Sequence, residues 1–350
     1  MNRYISAAVA AAFICAVSAG CSSQKSRKSP DKNNSKPISP ASIVFDWQEA
    51  YENKLNSFSA TSDSRFDLRD LNGDGSPELI ISPDPQPSTM CKVYTYIDGA
   101  VQDLAELGAN GAFFFAPASS AIGYEYDGDG FVIGEYFTIT ENQLESAVKF
   151  YNNSASAANG AAISYEINGE SVALPDYDKA LADYKNAQSL TVGRKYSFSP
   201  ESLSYAVHSS ESWGAVLSDK QKELFRTKIS ELAADYSDTA FYSPAFEIGD
   251  LNGDDSPELV FSSGTDIDNS CRIFTLADDD LTEVLSGFGS AGEVNYDISQ
   301  KVVFFTNADG ELSFDCIGDS APESFTPSEN LITFGRKYIA DDDGITAALL

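Results

Sequence analysis

The sequence predicts an α+β protein of two tandem repeats, each an antiparallel, blade-like β-meander with an N-terminal helix and short flanking helices. Three observations predict it. The string Asp70-Leu71-Asn72-Gly73-Asp74-Gly75-Ser76-Pro77-Glu78-Leu79-Ile80 returns 180 positions later as Asp250-Leu251-Asn252-Gly253-Asp254-Asp255-Ser256-Pro257-Glu258-Leu259-Val260, with nine of eleven positions identical. Apolar residues at steps of three and four precede each copy, which is the period of an amphipathic helix. Short apolar runs separated by Asp-Gly and Asn-Gly follow each copy, and those dipeptides are hairpin turns.

In the first repeat, Val44, Trp47, Tyr51, Leu55 and Phe58 form the helical stripe. Phe66 and Leu68 alternate with polar neighbours into the first acidic loop, and Leu79-Ile80-Ile81 leave it as a strand. Strands are expected at Cys91–Tyr96, Phe113–Phe115, Gly123–Tyr126, Phe131–Ile139 and Leu144–Tyr151, with a further hairpin about Asn168-Gly169. The triple Phe113-Phe114-Phe115 is read as a buried strand in preference to a sugar-stacking platform. Pro175 opens a short helix carrying Tyr177, Leu181 and Tyr184. Gly193-Arg194-Lys195-Tyr196 then leads to a helix starting at Ser199-Pro200-Glu201.

The second repeat replays this order. Ser218-Asp219-Lys220-Gln221 has capping-box form, ahead of a stripe of Leu224, Phe225, Ile229, Leu232 and Tyr236. Cys271–Leu276 matches the Cys91 strand, and Gly335-Arg336-Lys337-Tyr338 repeats Gly193–Tyr196. The first loop lies 126 positions before its GRKY segment and the second 88, so the first copy carries roughly forty extra residues, placed at about 140–188. The expected boundaries are residues 43–205 for the first repeat and 206–350 for the second. Arg194/Lys195 and Arg336/Lys337 are expected to pair with carboxylates in preference to binding an anion.

Ahead of the repeats, residues 1–20 read as an export signal: Arg3, an apolar run from Ile5 to Val17, then Ser18-Ala19-Gly20. Cys21 follows directly, and the segment resembles the lipobox of bacterial lipoproteins, with Ser18 where an aliphatic residue is usual. The resemblance implies lipidation of Cys21 and a place on the outer face of the cell membrane. Residues 21–42 lack aromatics and are rich in Ser, Lys, Pro and Asn, the composition of a flexible tether.

The chain of 350 residues carries a net charge of -30. Residues 1–42 hold six basic residues against Asp31 alone, which leaves the rest more negative still, at -35. Such a body repels nucleic-acid backbones and suits metal cations or basic partners. Cys91, Cys271 and Cys316 are the thiols beyond the tether; Cys271 and Cys316, both in the second half, are the pair expected to bond. His208 is the only histidine, no Ser or Cys nucleophile motif surrounds it, and there is no Walker loop or HExxH. Asp127/Asp129, Asp266/Asp268 and Asp278-Asp279-Asp280 read as solvated turns.

Each acidic loop places oxygen-bearing side chains at positions 1, 3, 5 and 9, with a turn residue at 6 and a main-chain carbonyl available at 7. A hard cation asks for that arrangement. EF-hand and dockerin loops need a bidentate acid at position 12, which here is Ile81 or Phe261. The loops look more like the calcium loops of FG-GAP and VCBS-type β-propeller blades, where the acid stands at position 9. The D-L-N-G-D-G-x-P-E-L string with its meander is similar to a group of lipoproteins from Gram-positive gut bacteria, a resemblance that implies no activity. Carried over by position, the first ligand set is Asp70, Asn72, Asp74, the Ser76 carbonyl and Glu78; the second is Asp250, Asn252, Asp254, the Ser256 carbonyl and Glu258. Three carboxylates per loop imply structural Ca²⁺ held at roughly 10⁻⁴–10⁻³ M. The second site is the weaker, because Asp255 replaces Gly at a turn position that favours a left-handed backbone.

These features lead to an expectation of a lipid-anchored, non-enzymatic binding or scaffold module of the cell envelope, with a protein or glycan partner and no nucleic acid. The alternatives are an envelope glycan hydrolase with acidic catalytic residues and a subunit of an envelope complex.

Overall fold

A computed structural model describes residues 45–350 apart from 129, 141–142, 154–162, 186, 210–212, 237–243, 266–269, 278–279, 319 and 350. The export signal, Cys21, the tether, Val44, Asp129, Asp266, Asp268, Asp278 and Asp279 lie outside the described residues.

Helix α1 spans Asp46–Ser57 and buries Trp47, Gln48, Tyr51 and Leu55. Its first turn is closed by Gln48, whose Oε1 accepts the Phe45 N–H at 2.7 Å. The strands that follow are β1 (Arg65–Arg69), β2 (Glu78–Ser82), β3 (Cys91–Ile97), β4 (Ala100–Leu107) and β5 (Phe113–Ala116). A 3₁₀ turn at Pro117–Ser119 leads to β6 (Ala121–Gly128), β7 (Phe131–Thr140) and β8 (Gln143–Asn152). Then come β9 (Tyr165–Ile167), β10 (Glu170–Val172), α2 (Leu174–Lys185), β11 (Leu190–Val192) and β12 (Tyr196–Ser197). Three helices follow: α3 (Pro200–His208), α4 (Trp213–Val216) and α5 (Asp219–Ala234).

The rest of the chain forms β13 (Ala245–Gly249), β14 (Glu258–Ser262), β15 (Cys271–Ala277), β16 (Asp280–Phe288) and β17 (Val294–Asp297). After these come β18 (Val302–Thr306), β19 (Leu312–Asp315), β20 (Leu331–Phe334), β21 (Tyr338–Ile339) and α6 (Asp342–Leu349). The Ser218 capping box forms as its sequence demands: Ser218 Oγ accepts from the Gln221 N–H at 3.3 Å, and Gln221 Oε1 accepts from the Ser218 N–H at 2.9 Å.

Hydrogen bonding groups the strands into three open, antiparallel sheets. The five-stranded sheet has the order β16-β15-β14-β13-β21, and the seven-stranded one β10-β9-β8-β7-β6-β5-β11. The nine-stranded sheet runs β19-β18-β17-β20-β12-β1-β2-β3-β4, so it takes strands from both sides of residue 205. Its seam is narrow: β12 meets β20 through Tyr196↔Ile332. The order β12-β1-β2-β3-β4 recurs as β21-β13-β14-β15-β16, and β11-β5-β6-β7 recurs as β20-β17-β18-β19. Strands β8–β10 and α2 lie between β7 and β11; among the described residues no strand or helix lies between β19 and β20.

Two of the apolar cores follow the same plan. Tyr51 and Leu55 of α1 pack with Phe66, Leu68, Leu79 and Ile81 of β1 and β2, joined by Leu203, Ala206 and Val207 of α3. Phe225, Ile229 and Leu232 of α5 pack with Phe246, Ile248, Leu259 and Phe261 of β13 and β14, joined by Ile345 and Ala348 of α6. The first core also takes in Leu251, Val260, Ile273 and Ile332 from beyond residue 205.

The expected bond between Cys271 and Cys316 is absent: Cys91, Cys271 and Cys316 are all buried free thiols. Cys271 begins β15 of the five-stranded sheet, whereas Cys316 follows β19 at the edge of the nine-stranded one. Cys91 and Cys271 instead pack against the glycines of the GRKY segments. Gly193 has φ +119°, and a Cβ there would stand 2.9 Å from Cys91 Sγ and 3.2 Å from the Gly111 carbonyl oxygen. A Cβ on Gly335, at φ +125°, would stand 2.6 Å from the Gly292 carbonyl oxygen and 3.3 Å from Cys271 Sγ. Gly193→Ala is therefore expected to cost about 2–4 kcal/mol in urea denaturation, from overpacking added to backbone strain. Gly73→Ala, with φ +77° and nothing within 4 Å of the new Cβ, is expected to cost only about 1 kcal/mol. Equal losses would show that close packing at Cys91 plays no part.

Candidate metal centre and the adjoining cleft

Both acidic loops join the two strands of a hairpin, and the pairing Arg69↔Glu78 recurs as Gly249↔Glu258. In the first loop Asp70 accepts the Gly73 N–H at 2.7 Å and the Gly75 N–H at 2.9 Å. Asn72 Oδ1 accepts from the Asp74 N–H at 2.9 Å, and Asp74 Oδ1 from the Ser76 N–H at 2.8 Å. These short Asx turns fold the chain around its own side chains. The second loop reproduces them. Asp250 accepts from the Gly253 and Asp255 N–H groups, Asn252 from Asp254 at 2.9 Å, and Asp254 from Ser256 at 2.8 Å. Asp255 adopts the left-handed backbone at φ +65°, where Gly75 has +87°.

The acid at position 9 closes each loop from the strand side. Glu78 is 1% exposed and Glu258 fully buried. Glu78 Oε2 accepts the Leu71 N–H at 2.8 Å and Oε1 the Thr95 hydroxyl at 3.1 Å. Glu258 repeats both contacts with Leu251 at 2.8 Å and Thr275 at 3.0 Å. Burial pushes the Glu78 carboxyl up to about 8, and the neighbouring Asp70 and Asp74 add to the rise. Glu258 is likewise raised to about 8, by burial first and then by Asp250 and Asp254. Burial also raises Asp70 and Asp250. From α1 the Tyr51 hydroxyl donates to the Pro77 carbonyl at 2.8 Å and ties the first loop to the helix.

The donors suit a hard cation in chemistry, being three carboxylates, an amide and main-chain oxygens. They also converge. Asn72 Nδ2 lies 3.0 Å from Asp74 Oδ2 and 3.4 Å from Glu78 Oε1, and Asn252 Nδ2 lies 3.0 Å from Glu258 Oε1. In the first loop the amide nitrogen thus bridges Asp74 and Glu78, in the second it meets Glu258, and among the described residues no three or more His, Cys, Asp or Glu side chains are grouped to hold an ion. Turning the Asn72 amide over would present its oxygen to the same carboxylates. Thr95 and Thr275 escape a reading by loop positions, yet they had a signal: each stands 17 residues after its glutamate, in the matched Cys91 and Cys271 strands.

The surroundings of the two loops differ. Beside the first lies a cleft of about 850 Å³. Its walls include Phe45, Trp47, Phe115, Leu190, Trp213 and Tyr338, and its polar lining includes Arg69, Asp70, Asn72, Lys337, Asp341 and Asp343. Both tryptophans of the chain stand on it. At the second loop the Lys301 ammonium donates to the Gly253 carbonyl at 3.4 Å. No local pattern announced the cleft, since its walls come from α1, β5, the 3₁₀ turn, β11, α4, β21 and α6.

Lys195 pairs with Glu247 and also donates to the Thr333 carbonyl at 2.8 Å, which meets the expectation of an ion pair at the GRKY segment. Arg194 donates to Ser82 Oγ at 2.8 Å and Arg336 to Ser262 Oγ at 3.1 Å, and Arg336 also interacts with the Glu293 carboxylate. His208 stands 3.8 Å from Glu52 on α1. Phe113 and Phe115 are buried in β5, as a strand requires. Compared with known proteins, the chain matches no family model, no curated sequence and no solved structure. Among the described residues no helix is long and apolar enough to cross a membrane.

Proposed function

We propose that this protein is a lipid-anchored binding or scaffold module of the cell envelope, built from two copies of one blade-like unit and stabilised by a calcium ion in each acidic loop. The recurrence of one contact set at both loops carries the reading, down to the Leu71/Leu251 N–H and the Thr95/Thr275 hydroxyl on the closing glutamate. The matched strand orders support the two copies. Asp70, Asn72, Asp74, Glu78 and the Ser76 carbonyl would hold the first ion, and Asp250, Asn252, Asp254, Glu258 and the Ser256 carbonyl the second. A cation that drew the three carboxylates of a loop together would offset their mutual repulsion and so favour the folded state. Anchoring rests on the lipobox resemblance at Cys21.

The cleft supports binding over glycan hydrolysis. Hydrolysis needs a free acid and a free base facing each other. Of the three carboxylates at the cleft, Asp70 is held by two loop N–H groups and Asp341 by the Gly344 N–H at 2.8 Å, which leaves only the exposed Asp343 for such a role.

A thermal melt of residues 43–350 tests the reading. Millimolar Ca²⁺ is expected to raise the midpoint by several degrees, with Mg²⁺ giving no such rise. Asp74→Ala is expected to remove more of the rise than Asp254→Ala, because the Lys301 ammonium already stands at the second loop. A melt indifferent to calcium removes the metal; the reverse order of the two variants removes the ranking of the sites.

A further inference from the structure

The second loop shows what the first one lacks. Lys301 and Ser120 occupy matching corners: each is a left-handed residue, φ +57° and +48°, just ahead of β18 and β6 respectively. They stand 181 positions apart, close to the 180 that separates the loops. Lys301 lays its side chain over the second loop, so that a Cβ on Gly253 would meet Nζ at 2.6 Å and Cε at 2.9 Å. A Cβ on Gly73 would meet none of the described residues beyond its chain neighbours within 4 Å, and both Gly73 and Ser120 line the cleft. The chain fills one corner with its own ammonium and leaves the other open.

We propose that the cleft takes a small molecule with a primary ammonium group on an apolar, ring-sized body, its ammonium seated at Gly73 as that of Lys301 is at Gly253. The volume is that of a small-molecule site, and such sites are mainly apolar with a few placed polar groups. Trp47 and Trp213 supply the apolar wall, and a cation near such rings gains a further attraction. Arg69 and Lys337 also line the cleft, but both are buried and Arg69 is paired with Asp67, whereas Asp341 and Asp343 are exposed; these and the net charge of -30 favour a cation over an anion. Glycine 73 is not among the proposed calcium donors, so the two cations need not share oxygens.

This inference rests on the two-copy reading, and its test is independent of calcium. The probe is 2-phenylethylamine, titrated into the full-length chain in chelator and read by tryptophan fluorescence, since both tryptophans line the cleft. A saturable change is expected in the millimolar range or below, with 3-phenylpropionate at least about tenfold weaker. Ser120→Lys, which installs the second-loop arrangement in the first, is expected to weaken the amine at least about tenfold. Should that variant fold poorly, Asp343→Lys on the exposed rim is expected to weaken the amine severalfold. Lys301→Ala leaves amine binding unchanged. No saturation by about 20 mM, equal binding of the carboxylate, or unchanged amine binding in both the Ser120→Lys and Asp343→Lys chains would overturn the proposal. The calcium melt reads the loops without the amine and this titration reads the cleft without calcium, so each fails on its own.

Discussion

Glu247→Ala is expected to destabilise the protein by about 3–5 kcal/mol, because it strands the Lys195 ammonium in the interior. The two side chains are 6% and 2% exposed. Burial already holds Lys195 below its ordinary range, so the folded protein tolerates that charge only with its partners. With Glu247 gone, Asp67 still attracts the ammonium through space, but the Thr333 carbonyl is left as a neutral acceptor, and the rings of Phe334 and Tyr196, 4.8 and 5.3 Å away, replace little of what the paired carboxylate supplies. Glu247 also accepts the Gly335 N–H at 3.3 Å, so its loss frees a second buried donor. Lys195→Met with Glu247→Leu is expected to recover most of the loss, since apolar replacement of a buried pair is often neutral. Urea denaturation of the two single variants and the double variant gives the coupling energy. Single losses below about 1 kcal/mol would mean that water reaches the pair.

In the presence of chelator, stability is expected to fall as pH rises from about 5 to about 8. An unfolded glutamate titrates near 4.5, whereas Glu78 and Glu258 titrate at about 8 in the fold. The folded state therefore holds protons that the unfolded state releases, and that advantage is lost as pH climbs through the interval. At about 1.4 kcal/mol per pKa unit, the two glutamates amount to several kcal/mol. Glu78→Gln keeps the shape without the charge and is expected to remove about half of the slope, raising metal-free stability at pH 8. Saturating calcium, which favours the ionised carboxylate, is expected to flatten the wild-type profile. Denaturant midpoints across this interval, with and without calcium, decide it; a flat profile in chelator would show that water already solvates both carboxylates.

What the sequence made legible was what depends on neighbours along the chain. The α1 stripe, the Ser218 cap, the hairpins and the recurrence of the loops are read from spacings of two to four residues and from turn chemistry. The seam at Tyr196↔Ile332 and the pairing of Lys195 with Glu247 are set by how distant strands come into register, and no local period encodes that. Strand alternation gives the buried face of β12 without naming the neighbour of its edge. The cysteines mislead for the same reason: membership of one half said nothing of which sheet each thiol would enter. The cleft was illegible because its walls are apolar residues that any core would use.

The seam also bears on when the fold can be completed. The partners Tyr196 and Ile332 stand 136 positions apart, and the core around α1 closes over Ile332 and Phe334. While the chain is being made, the strands up to β12 can pair among themselves. Two other cores draw only on residues up to Val192, but the core around α1 stays open until residues beyond 331 arrive. Its closure is thus a late event, with an interval in which that apolar surface must be kept from other chains.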